Sequence, residues 1–170
     1  MTTVAQLSTD SAVCLRGVQD SDWDFLYHLY CDPEVRENSR IHACPAFQEF
    51  KRWVQDQPFF YTVTWRGLLV GYGRVTPLPI TAKRKDVGEV SYALVKEARG
   101  KGWASDVIRL LGWHAAAIGL HTLTAEIRPM NIPSLRALLR AGFHITLPLN
   151  RPFLTLERVG RNRSSQLKRK

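Results

Sequence analysis

Arg99, Gly100, Lys101 and Gly102 stand directly ahead of an apolar helical pattern that opens at Trp103 and carries a hydroxyl at Ser105. The first amides of a helix have no intrahelical acceptor and bear partial positive charge, so an anion is favoured there. Glycine puts no side chain between an anion and the backbone, and Arg99 and Lys101 add charge. Taken through Ala104 to Ser105, the stretch has the chemistry of a diphosphate cradle. It matches neither of two common nucleotide loops. The GxxxxGK spacing followed by Ser or Thr is missing, and "GKGWAS" lacks GxGxxG. Taken alone, the stretch is explained equally well as a glycine-containing surface turn with solvated cations.

A carboxylate precedes this stretch on a strand-like segment. In "VGEVSYALV" a period of two puts Glu89, Ser91 and Ala93 on one face and Val90, Tyr92 and Leu94 on the other. A carboxylate among small residues, facing a cleft, can act as a general base. The plainer alternative is a strand-edge carboxylate paired with Arg84 or Lys85. Metal chemistry is not predicted, since Cys14, Cys31 and Cys44 form no CxxC pair and the five histidines no HExxH. The odd cysteine count argues against a disulfide framework and makes a reducing cytoplasm the expected location.

The rest of the chain must position these groups. With 170 residues, 45% hydrophobic and 23% charged, it fits one domain with a substantial core. No apolar run approaches the roughly 20 residues that span a bilayer, and "MTTVAQLSTDSAV" lacks the pattern of a secretory signal. The net charge is +9, but the tail "RVGRNRSSQLKRK" carries six of those charges and no acidic residue. A polar basic tail of this kind is expected to stay solvated and outside the fold. Clustered cations do attract phosphates, yet the tail has no aromatics for stacking bases. A nucleic-acid partner is therefore not expected.

Along the chain, "VCLRGV" reads as a first strand, "SDWDFLYHLY" as a capped helix with Trp23, Leu26, Tyr27 and Tyr30 at helical spacing, and "DPEVRENSR" as a loop. Pro45 opens a second helix carrying Phe47, Phe50 and Val54. "FFYTVTW" and "LLVGYGRV" form a hairpin about Arg66-Gly67, and "VGEVSYALV" follows after "TPLPITAKRKD". A helix over Trp103–Ile118, the strand "HTLTAEI", a helix over Ser134–Ala141 and the strands "FHITL" and "PFLTLERV" complete the pattern. Strands first and strand–helix alternation afterwards predict a mixed α/β (α+β) sheet with helices on both faces. Residues 13–158 form the expected domain, between an N-terminal segment 1–12 and a basic tail 159–170.

The order of these features resembles the GNAT superfamily of acyl-CoA-dependent N-acetyltransferases, especially its ribosomal-protein-acetylating and small-amine-acetylating branch. Its signature Q/R-x-x-G-x-G/A is met by Arg99, Gly102 and Ala104. Its second signature, an Asn opening the next helix and Gly-Phe closing it, is met by Asn131, Gly142 and Phe143. The segments "CLRGVQDSDWDFLYHLYCDPEVREN" and "GLLVGYGRV" fit the first half less specifically. The resemblance covers about Val13 to Arg158.

The resemblance implies a central mixed, mostly antiparallel sheet of about six to seven strands flanked by about four helices. It implies acetyl-CoA as co-substrate and transfer of its acetyl group to a primary amine by direct attack in a ternary complex. Backbone contacts to pantetheine would come at a strand splay on Leu94, with Val95 and Lys96 following. Arg99 and the amides from Gly100 through Lys101, Gly102, Trp103 and Ala104 to Ser105 would hold the diphosphate, and Asn131 would contact the thioester end. Asn131 suits a helix N-cap equally well. Glu89 falls where many relatives carry a general base. Leu138 occupies the position of the tyrosine that many relatives use as general acid, leaving Ser134 as an alternative donor.

A non-catalytic acyl-CoA-binding module and an RNA-directed protein using the tail and "TAKRK" remain the competing readings. The expected acceptor is a small molecule ahead of a protein, with no membrane partner, in a monomer or homodimer. Tyr30, Arg36, Asn38, Arg40 and His42 are the candidate acceptor-pocket groups.

Overall fold

The computed structural model describes residues 13–80, 86–146 and 153–160. The segment 1–12, the "TAKRK" stretch and the tail beyond Gly160 lie outside the described residues, as do the expectations placed on them.

A hairpin lies at the heart of the first half. Strand β2 (Phe60–Trp65) turns into β3 (Leu68–Pro77) through Arg66 and Gly67, both at positive φ (48° and 82°). That two-residue turn matches the right-handed strand twist. Around it the sheet runs β1-β2-β3-β4-β5-β7-β6, with β1 (Val13–Arg16), β4 (Val87–Leu94), β5 (Thr122–Ile127), β6 (His144–Thr146) and β7 (Leu154–Val159). Only β4 and β5 pair in parallel. The expected mixed, mostly antiparallel sheet is what forms.

Helices cover both faces. On one lie α1 (Trp23–Cys31), α2 (Pro33–Glu37) and α3 (Phe47–Gln55); on the other lie α4 (Trp103–Ala117) and α5 (Ile132–Arg140). The segment expected as a loop, "DPEVRENSR", contains α2. Its cause is local: the Asp32 carboxylate accepts from the Glu34 and Val35 amides at 2.9 and 3.1 Å, and Pro33 takes the first turn. The two faces bury separate cores. Val63, Val75, Val90, Ile108, Leu111, Leu123 and Leu156 fill the α4–α5 side, while Leu26, Phe50, Phe60, Tyr72 and Ala93 fill the α1–α3 side.

Strand β4 keeps β3 as partner from Gly88 to Leu94, but meets β5 only at Val87–Thr122, Gly88–Leu123 and Glu89–Thr124. Beyond that point β5 pairs with β7 alone. The parting therefore begins at Val90, ahead of the expected position at Leu94.

Two further features organise the α1–α3 side. Asp22 is fully buried where β1 leads into α1, and accepts hydrogen bonds from Arg16 at 2.6 and 2.8 Å, the Gln19 amide at 2.9 Å and Thr62 at 3.0 Å. Burial pushes its pKa up, but the bonds from Arg16, Gln19 and Thr62 outweigh burial and hold it below the usual carboxylate value. Cys31 and Cys44 are joined in a disulfide, with Cα atoms 5.1 Å apart, and Cys14 alone is free. This corrects the expectation drawn from the odd cysteine count: the turn through α2 brings together two cysteines whose sequence spacing carries no motif.

Asp22→Ala strands the Arg16 guanidinium against the core edge and should lower unfolding free energy by about 3 kcal/mol, read by urea denaturation. Because the folded-state pKa is depressed, the wild-type advantage is full at neutral pH. It should shrink as pH falls below the unfolded carboxylate value of about 4 toward the lower folded value. An Asp22→Ala protein with an unchanged denaturation midpoint would show the network to be dispensable.

Candidate active site

The gap between β4 and β5 opens into a cavity of about 830 Å³. Val95 donates its amide to the Val70 carbonyl of β3 at 3.0 Å. By alternation, the backbone groups of Val90, Tyr92 and Leu94 point away from β3, into the gap. Leu94 lines the cavity and its carbonyl accepts from Arg99 Nε at 3.0 Å. Val95 and Lys96 do not line it. The chain turns there into a 3-10 segment, Lys96–Ala98, and the Val95 and Lys96 carbonyls accept from Ala98 and Arg99. The free strand edge is thus Val90 to Leu94, earlier than expected.

At one end of the cavity α4 begins. Gly102 caps it at φ 80° and Gly100 stands at φ 73°; both are left-handed conformations that residues with a side chain rarely adopt, and both face open space. Among the described residues, the amides from Gly100 to Ala104 have no acceptor, whereas the Ser105 amide is already bonded to the Gly102 carbonyl at 3.2 Å. The Ser105 hydroxyl, buried, donates to the Ala137 carbonyl at 3.4 Å and so ties α4 to α5. Gly100, Gly102, Ala104 and Ser105 line the cavity; Lys101 and Trp103 do not. Lys101 instead sits 4.8 Å over the Trp103 ring, which stacks on Trp65 at 4.9 Å. Arg99 reaches across to Glu34 of α2 at 2.6 Å, so its charge is already matched.

Asn131 caps α5, its side-chain oxygen accepting from the Ser134 amide at 3.3 Å, and it also lines the cavity. One turn into α5 the Ser134 hydroxyl meets the Tyr92 hydroxyl at 2.8 Å. Burial raises the Tyr92 pKa, only partly offset by the bond to Ser134, so the phenol keeps its proton. Leu138, at the position of the family's usual tyrosine, is buried in the core. Strand alternation puts Tyr92 on the face shared with Val90 and Leu94. Only the parting of the strands exposes that face to the cavity.

On the other side of β4, Glu89 lines the cavity with its side chain 14% exposed. Among the described residues its partner is Arg40, at 2.5 Å; Arg84 and Lys85, the cations considered from sequence, lie outside the described residues. Arg40 also holds Glu126 of β5 at 3.0 Å and so spans the gap from strand to strand. Glu89 Oε2 has no partner among the described residues. Of the other acceptor-side candidates, Tyr30 and Asn38 line the cavity. Arg36 and His42 do not, and Arg36 donates to the His42 carbonyl at 2.9 Å.

Comparison with known proteins agrees with this geometry. The family model described as the acetyltransferase (GNAT) domain matches residues 12–144. No curated protein matches by sequence. Among solved structures, ribosomal-protein-alanine N-acetyltransferase from Brucella melitensis superposes with a TM-score of 0.71 at 19% identity, over 86% of this chain and 99% of that one. Aminoglycoside acetyltransferase AAC(6')-Ib in complex with coenzyme A gives 0.69 at 19% identity, over 86% and 94%. A GNAT-family acetyltransferase from Bacillus anthracis gives 0.69 at 17%, over 86% and 94%. At these identities the structural likeness is one of fold. With a family model spanning most of the chain, a loop of free amides at a helix start and a sheet parted beside it, the protein belongs to the GNAT acetyltransferases, enzymes that use acetyl-CoA as co-substrate.

Proposed function

We propose that the chain acetylates a small primary amine, with Glu89 as general base and Tyr92, backed by Ser134, as the proton donor to the departing sulfur. The observation that carries this reading is the cavity through the parted sheet, with an arginine-held carboxylate on one side of β4 and a paired, protonated phenol on the other. The free amides of Gly100 to Ala104 suit a diphosphate, and the Val90–Leu94 edge suits the amides of a pantetheine arm.

Acetyl-CoA supplies an activated acyl thioester. The protein's own groups do the rest. An ammonium cannot attack, so Glu89 takes its proton at Oε2, which has no partner among the described residues, while Arg40 holds Oε1 in place. Tyr92, on the opposite face of the same strand, keeps a proton on its hydroxyl and delivers it to the thiolate, with Ser134 Oγ steering the phenol. Asn131, fixed as the helix cap, presents its remaining amide group to the cavity. Among the described residues no helix is long and apolar enough to cross a membrane.

Three measurements test these assignments. Gly102→Val places a β-branched side chain in the space over the free amides, at a left-handed φ. It should weaken acetyl-CoA binding by about tenfold or more in calorimetry; unchanged affinity in a folded variant rules out the loop as the diphosphate site. Glu89→Gln should lower kcat by roughly 10²- to 10⁴-fold with acetyl-CoA affinity retained, and should flatten the rising limb of the pH–rate profile. A normal limb would transfer deprotonation to water. Tyr92→Phe keeps the ring and removes the proton, and should lower kcat about tenfold to 10²-fold, least with acyl thioesters of more acidic thiols. Free-thiol release over a panel of amines separates this enzyme from a non-catalytic CoA-binding module, which would release none.

A further inference from the structure

The acceptor side of the cavity contains three carboxylates and a guanidinium that none of them matches. Glu34 is held by Arg99, and Glu89 and Glu126 are both held by Arg40. Arg74, on β3, has no carboxylate partner among the described residues. Its Nε donates to Ser91 Oγ at 3.3 Å and its guanidinium lies 5.2 Å over the Trp53 ring, and its terminal nitrogens have no acceptor among the described residues. Tyr30 and Tyr72 line the cavity beside it. Burial pushes both phenols up, against a smaller opposing effect of the Arg74 charge, so neither supplies an anion. A half-buried guanidinium whose two terminal nitrogens have no acceptor among the described residues, in a cavity walled by aromatic rings, suits an oxyanion.

Its position relative to the chemistry is set by register. Arg74 stands opposite Ser91, and the next pair on the same face is Thr76 opposite Glu89. One such step along a strand is about 6.6 Å. We propose that Arg74 anchors a carboxylate or equivalent oxyanion of the acceptor, so that the substrate is a small amine carrying both an amino group for Glu89 and an anion for Arg74. This rests on the acetyl-transfer reading and adds the acceptor's chemical class. A polycationic amine would set its charges against Arg74 and Arg40, with every lining carboxylate on that side already occupied.

The test uses glycine, β-alanine and γ-aminobutyrate, each beside its amide, with an aminoglycoside and a polyamine as cationic acceptors. Rates are expressed per neutral amine. The wild-type enzyme should favour at least one acid over its amide by about tenfold or more. Arg74→Met should raise KM for that acid by about 10- to 100-fold while acetyl-CoA affinity stays constant, and Arg74→Lys should recover part of the loss. Should Arg74→Met fail to fold, Arg74→Gln carries the same expectation.

Calorimetry of the acids on the CoA-bound protein separates the two levels of the argument. Acids that bind through Arg74 but are never acetylated overturn the transferase assignment and leave the anchor standing. Acids acetylated with an unchanged KM in the Arg74 variants overturn the anchor and leave the transferase. A wild-type preference for amides or cationic amines, or no binding of any acid, also overturns the anchor.

Discussion

The cavity in this molecule depends on β4 and β5 ceasing to pair after Glu89 and Thr124. Neither strand frays there, because each keeps a complete partner on its other edge, β3 for β4 and β7 for β5. A parted ladder inside a sheet leaves backbone donors and acceptors without partners, which is unfavourable unless something meets them. Arg99 meets one, at the Leu94 carbonyl. The remainder form a strand edge of the kind that an extended amide-bearing chain can join. Because β4 stays extended, its alternating side chains still point to opposite faces, yet both faces now border the same opening. That is how Glu89 and Tyr92, which a continuous sheet would keep apart, come to serve one cavity.

The charges around the opening are arranged to position rather than to stabilise. Arg40 is half exposed and Glu34 more so, and ion pairs of that kind contribute little to folding. Arg40 nevertheless joins β4 to β5 exactly where the ladder no longer does, and Arg99 joins the anion loop to α2. Two arginines thus hold three carboxylates in place. Among the described residues, the lining arginines without a carboxylate partner are Arg74 on one side and Arg136 and Arg140 of α5, near the helix start of α4, on the other.

The cover over the acceptor side is a separate small core. Tyr30, Phe50, Trp53, Phe60 and Tyr72 form a chain of ring contacts with centroids 5.0 to 6.4 Å apart. Asp22, buried beneath the start of α1, ties that cover to β1 through Arg16 and to β2 through Thr62. The Cys31–Cys44 bridge closes the segment that carries Arg40, restricting the conformations open to it before folding. These constraints hold a loop, otherwise supported by few backbone bonds, over Glu89.

What the amino-acid sequence determined by itself is local. The glycine turn at Gly100 and Gly102, the cap at Asn131, the Arg66-Gly67 turn and the two-residue period of β4 depend on near neighbours, so the turn ahead of α4, the hairpin and the face carrying Glu89 were legible. The α2 helix departs from the loop read there, although its start signal, the Asp32-Pro33 pair, is local. Tertiary structure decided what distance along the chain conceals. It chose Arg40 as the partner of Glu89 across 49 residues and joined Tyr92 to Ser134 across 42. It brought Cys31 to Cys44, turned the Ser105 hydroxyl inward to α5, and ended the β4–β5 ladder at Glu89. A strand's periodicity says which residues share a face. Whether that face meets a core or an opening depends on where its neighbour strand leaves, and that is set by the partner each strand keeps on its far side.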